Sequence, residues 1–169
     1  MHKGLKEPHL LNAAANPHRL LRNLAGVLLG PELQKIQSEI DSNVLGLFRL
    51  GESHYRFAQA IVATEWRQRI SRLYYAAYNC RRALALHYDG SFSTDSSDHQ
   101  RVDDVPDGLS NVATYKVKLK NLRDDRNLGD YNHLARESDL LSTAAEYETV
   151  VGEFIRDVAA FLRARGLIL

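Results

Sequence analysis

Cysteine, proline and long apolar runs are all scarce in this chain of 169 residues. Its single cysteine, Cys80, excludes an internal disulfide framework and any structural zinc site built on several thiolates. Only four prolines occur, three of them at or before position 31 (Pro8, Pro17, Pro31) and the last at Pro106. The stretches 32–105 and 107–169 are therefore free of the residue that most often breaks helices. No apolar run approaches the ~18–20 residues of a membrane span, so no membrane association is expected. The N-terminus, with His2, Lys3, Lys6 and Glu7, lacks the apolar segment of a secretory signal, and a cytoplasmic location is expected. Net charge of one sign is missing too. The 22 basic and 21 acidic residues leave +1, so any nucleic-acid contact must come from a local patch rather than the whole molecule.

What is present is helical spacing. Val44, Phe48, Tyr55, Ala58 and Val62 recur at steps of three, four and seven. Ile70, Leu73, Tyr74, Ala77, Cys80 and Leu84 form a second stripe, and Val112, Tyr115, Leu119 and Leu122 a third. Leu140, Ala144, Tyr147, Val151, Phe154, Val158, Phe161 and Leu162 make the cleanest one. Gly90 and Gly166 stand where helix C-caps belong, and Ser138 with Asp139 reads as the N-terminal cap of the last helix. The expected fold is all-α: an antiparallel four-helix up-and-down bundle over 42–169, preceded by an N-terminal helical extension over 1–41. Within that extension a helix is expected over about 9–29 and a short segment over Pro31–Ile40. A chain this long buries roughly 70% of its unfolded surface, enough for a core without staples.

Residues 89–107 carry six Asp against one Arg and show no regular oxygen-ligand spacing. They read as a solvated, mobile acidic loop between the second and third core helices rather than a calcium site. The second helix carries Arg67, Arg69, Arg72, Arg81 and Arg82 against Glu65, and 116–126 holds five basic residues against two acidic ones. Such an excess makes either a solvated face or a groove for phosphates. Cys80, on an apolar stripe, reads as a buried structural thiol, and His54 and Tyr55 as packing residues. Tyr74, Tyr75 and Tyr78 suit core packing, with base stacking as the alternative.

Arg126 occupies the next turn of the third stripe, so it faces the core or an interface. Buried guanidinium requires compensation. Asp130 is its partner at i+4, and His133 lies about 10 Å along the axis if the helix continues. Spacing alone leaves two readings open. In one, Arg126 and Asp130 form a structural ion pair and His133 is a surface histidine. In the other, Arg126 and His133 converge on a phosphate, as a fixed anion clamp and a proton carrier near pH 7.

Two segments are similar to the HEPN domain family. Ser71, Tyr74, Tyr75, Ala76, Ala77, Tyr78, Ala83 and Leu84 match its S-x-x-Y-Y-A-A-[FY]-x-x-x-x-A-L helix. Leu122, Arg123, Arg126, Asn127, Asp130 and Tyr131 match its L-R-x-x-R-N-x-A-D-Y element, with Gly129 in the alanine position. A polar loop bearing His99 lies between them, and the resemblance covers about 42–165. It implies a helical bundle that acts as a homodimer, and in active members a metal-independent endoribonuclease needing no cofactor. Arg126 and His133 match the catalytic R-x4–6-H motif, with Asn127, Asp130 and Tyr131 as orienting neighbours. The implied substrate is RNA and the implied setting a prokaryotic toxin–antitoxin or defence system. The alternative is a non-catalytic module that binds nucleotide or pairs with a nucleotidyltransferase-type antitoxin.

Overall fold

The computed structural model describes residues 16–90 and 96–169. The start of the expected 9–29 helix, residues 9–15, and the tip of the acidic loop at 91–95 lie outside the described residues. Those described are all-helical, with no strand: α1 (Pro17–Leu24), α2 (Gly30–Ala60), α3 (Trp66–Tyr88), α4 (Val112–Tyr131) and α5 (Ala144–Arg163). Two 3-10 turns, Ser96–Arg101 and Glu137–Asp139, sit in the connections. No helix is long and apolar enough to cross a membrane among the described residues.

Helix α1 starts on Asn16, whose side chain accepts the Arg19 N–H at 2.8 Å and donates to the Asp89 carbonyl at 2.9 Å. The same side chain therefore starts α1 and ties it to the end of α3. Gly90 follows at φ +67, and a Cβ there would come within 2.6 Å of Asn16 Oδ1. Glycine is required on both grounds, the left-handed turn and the close approach.

Pro31 does not begin a separate short segment. It lies in the first turn of α2, where its missing N–H has no intrahelical partner to lose, and one helix runs from Gly30 to Ala60. The buried positions Ile36, Ile40, Val44, Phe48, Gly51 and Ala58 form a single face across residue 41. The boundary drawn at 41/42 thus falls inside a continuous helix. That helix ends before Val62, which is exposed and off the stripe.

Helix α3 is the centre of the molecule, packing against α2, α4 and α5. A glycine on α2 lets α3 come close: a Cβ at Gly51 would lie 2.4 Å from Cys80 Sγ and 2.9 Å from the Ala76 carbonyl. Cys80 is fully buried, and burial pushes its thiol pKa far up. Tyr74 and Tyr78 are buried as packing residues.

The last helix begins five residues later than Ser138–Asp139 suggests. Thr143 is the N-cap: its hydroxyl accepts the Glu146 N–H at 3.2 Å, and Glu146 returns a bond to the Thr143 N–H at 3.1 Å. Asp139 instead accepts the Arg136 N–H at 2.8 Å and closes the preceding 3-10 turn.

Candidate functional site

The acidic connection between α3 and α4 is not a solvated loop where it is described. Asp98, Val102, Val105 and Leu109 are all buried. The reason is charge pairing across the fold. Arg81, buried on α3, reaches Asp98 at 3.0 Å, the Asp104 carboxylate at 3.3 Å and the Asp104 carbonyl at 3.1 Å. Tyr78 donates to the other Asp98 oxygen at 3.1 Å, and Arg82 lies 3.6 Å from it. A buried carboxylate is tolerable only with partners of this kind.

The arginines of α3 are accordingly neither a solvated face nor an open phosphate groove. Arg69 pairs with Glu148 at 2.6 Å, and Arg72 lies 3.4 Å from His54 Nδ1 with its guanidinium over Phe57. Arg67 caps the end of α4. It donates to the carbonyls of Gly129, Asn132 at 3.0 Å, His133 at 3.4 Å and Ala135 at 2.6 Å. A Cβ at Gly129 would approach the Trp66 ring to 3.3 Å, which is why glycine suits this position of the Arg–Asn element.

Packing the 96–101 turn against α3 and α4 leaves an open cavity of about 650 Å³. Tyr74 of α3 forms its floor with His99 and Gln100 of the turn. The α4 wall contributes Arg123, Asp124, Arg126, Asn127 and Tyr131. The tyrosine-rich segment of α3 and the Arg–Asn element of α4 therefore meet in one place.

Arg126 is held from several sides. Its Nε lies 2.8 Å from Asp130 Oδ2, an ionic contact rather than an aligned hydrogen bond. Nη2 donates to the Tyr75 hydroxyl at 3.0 Å and Nη1 to Asn127 Oδ1 at 3.1 Å. The guanidinium carbon sits 5.5 Å from the ring centres of Tyr74 and Tyr75 and 5.8 Å from that of Tyr131. Burial opposes its charge, but Asp130 with Tyr75 and Tyr131 outweighs that, and its pKa lies above the ordinary guanidinium value. A guanidinium has five N–H donors. Of these, one on Nη1 serves Asn127, one on Nη2 serves Tyr75, and a further one serves the Tyr131 side chain. Arg123 joins the same wall to the turn, donating to the Gln100 carbonyl at 3.0 Å and to Asp124 at 2.9 Å.

Of the residues picked out by sequence, Arg126, Asn127, Asp130 and Tyr131 come together. His133 does not join them. Helix α4 stops at Tyr131, and His133 is exposed on the turn beyond, outside the cavity. The histidine that does line the cavity is His99. Its ring stacks on Tyr78 with centroids 4.3 Å apart, and Nδ1 lies 2.8 Å from the Tyr74 hydroxyl. Burial first, then the charges of Arg126 and Arg82, lower its pKa below the ordinary 6.5 against the opposing pull of Asp98. Sequence reasoning passed over it because it lies within an apparently loose acidic stretch. The available signal was its position between two aromatic-and-arginine helices. Among the described residues no three His, Cys, Asp or Glu side chains gather as a metal-binding group.

No protein-family model matches the chain, and neither a curated protein nor a solved structure shows significant similarity to it.

Proposed function

We propose that this is a HEPN-like protein, a four-helix antiparallel bundle working as a cytoplasmic homodimer, that binds RNA by holding a phosphate at Arg126. One observation carries the reading: Arg126 is fixed by Asp130, Asn127, Tyr75 and Tyr131 on the wall of an open cavity. A guanidinium fixed in this way loses little freedom on meeting an anion. Single-stranded nucleic acid suits the remaining walls. Tyr131, 78% exposed at the rim, offers a face for a base to stack on. The amides of Asn127 and Gln100 offer donors and acceptors for sugar or base edges. A catalytic pair of Arg126 with His133 has less in its favour, since His133 lies outside the cavity.

The reading is tested by fluorescence anisotropy with a labelled single-stranded RNA of about 12 nucleotides. Wild type is expected to bind, and Arg126→Gln to weaken binding about tenfold or more, roughly 1.4 kcal/mol. The slope of log affinity against log salt should fall by roughly 0.7 for each phosphate that the variant no longer neutralises. No binding by the folded wild type, or equal binding by the variant, would overturn the reading.

A further inference from the structure

The cavity holds, besides its arginines, an imidazole fixed in one orientation by its neighbours. His99 lies on the 3-10 turn, not on the helix that carries Arg126. Its ring is fixed on one face by Tyr78 and at one edge by Tyr74. The turn beneath it is anchored by Asp98 through Arg81 and Tyr78. The Tyr74 hydroxyl also lies 3.3 Å from the His99 carbonyl, and donates to it. Both bonds are satisfied together when Nδ1–H donates to the Tyr74 oxygen and the Tyr74 hydrogen goes to the carbonyl. That arrangement leaves Nε2 unprotonated, and Nε2 makes no hydrogen bond among the described residues. A ring nitrogen whose partner nitrogen is held by a neighbouring hydroxyl has the layout of an oriented general base.

We infer that His99, and not His133, is the proton-transferring residue of this cavity, and that with Arg126 it cleaves the RNA bound there. The inference rests on the RNA-binding reading above. Nε2 takes the proton of a ribose 2′-hydroxyl, and the 2′ oxygen attacks the adjacent phosphorus. The O2′–P bond forms and the P–O5′ bond breaks. The proton held by His99 passes, directly or through water, to the departing 5′ oxygen. The products are a 2′,3′-cyclic phosphate end and a 5′-hydroxyl end, with no net gain or loss of protons or electrons. Arg126 presents its fixed guanidinium charge to the phosphate oxygens on which charge grows. Tyr74 acts through His99 as a positioning residue.

The experiment is cleavage of the same labelled RNA in EDTA, with binding measured alongside on wild type, His99→Gln and His133→Ala. Circular dichroism is recorded on each to establish folding. Wild type is expected to release cyclic-phosphate ends, His133→Ala to match it, and His99→Gln to bind RNA normally but cleave about 10²-fold more slowly or worse. The wild-type rate should rise with pH through a single ionisation below 6.5 and then level off, because the base must be neutral. The charged and titratable groups facing that ring are Tyr74, Tyr75, Tyr78 and Arg82 from α3, Asp98 beside it, and Arg123 and Arg126 from α4. Binding without cleavage would overturn the inference and leave the RNA-binding reading standing. Loss of cleavage in His133→Ala with retention in His99→Gln would also overturn it. No binding at all by wild type would overturn the reading on which it rests.

Discussion

Replacing Asp98 by alanine removes the carboxylate around which the α3–α4 connection is organised. Asp98 is 4% exposed, and Arg81, its partner at 3.0 Å, is 5% exposed. Breaking a buried pair by deleting one member costs about 3–5 kcal/mol, because the other charge stays behind unpaired. Arg81 still reaches the Asp104 carbonyl at 3.1 Å and its carboxylate at 3.3 Å, so the lower end, about 3 kcal/mol, is expected. The Tyr78 hydroxyl also loses its acceptor. In a domain of this size that amounts to a fall in Tm of roughly 6–12 °C. Urea denaturation followed by circular dichroism, with the m-value unchanged, measures it directly. Asp104→Ala is the internal comparison. That side chain is 71% exposed, so its removal should cost less than about 1 kcal/mol. A loss below about 1 kcal/mol for Asp98→Ala, the value of a surface pair, would refute the account of how this connection is held.

Three further outcomes are expected. Asp125, 2% exposed, accepts the Leu141 N–H at 2.9 Å and the Tyr147 hydroxyl at 2.7 Å, so Asp125→Ala should cost about 3 kcal/mol in the same denaturation assay. Gly51→Ala should cost about 2 kcal/mol or more, because the added methyl meets Cys80 Sγ and a backbone carbonyl that moves only with α3 itself. His18, His54, His87 and His99 all have pKa values lowered from 6.5, chiefly by burial. The unfolded chain then binds more protons than the folded one just below that value. Their contribution to stability is therefore complete above about pH 6.5 and lost as pH falls through the folded values, which urea midpoints across pH 5.5–7.5 would reveal.

The helices were legible because their buried residues repeat with the helical period, as Leu73, Ala77, Cys80 and Leu84 do on α3. Their ends were less so. Pro31 suggested a break because proline stops a helix in its interior, whereas it is accommodated in the first turn of α2. Ser138 and Asp139 have the chemistry of a cap, but Thr143 with Glu146 forms both reciprocal bonds. The acidic stretch was misleading for a different reason. Asp98 and Asp104 are neutralised by Arg81 and Arg82, and a pairing across 17 residues leaves no local pattern to read. The same holds at the site. Arg126 with Asp130 follows from helical spacing. The expected place of His133 depended on α4 continuing, and the helix ends at Tyr131, where Arg67 of α3 gathers the terminal carbonyls. His99 enters the cavity only through the tertiary packing of its turn.

The most direct test of the cavity's role is to follow the imidazole signals of the purified protein by nuclear magnetic resonance while a short single-stranded RNA is added. The account predicts that the His99 resonances shift progressively and that those of His133 stay in place. Movement of His133 with His99 unchanged would contradict it.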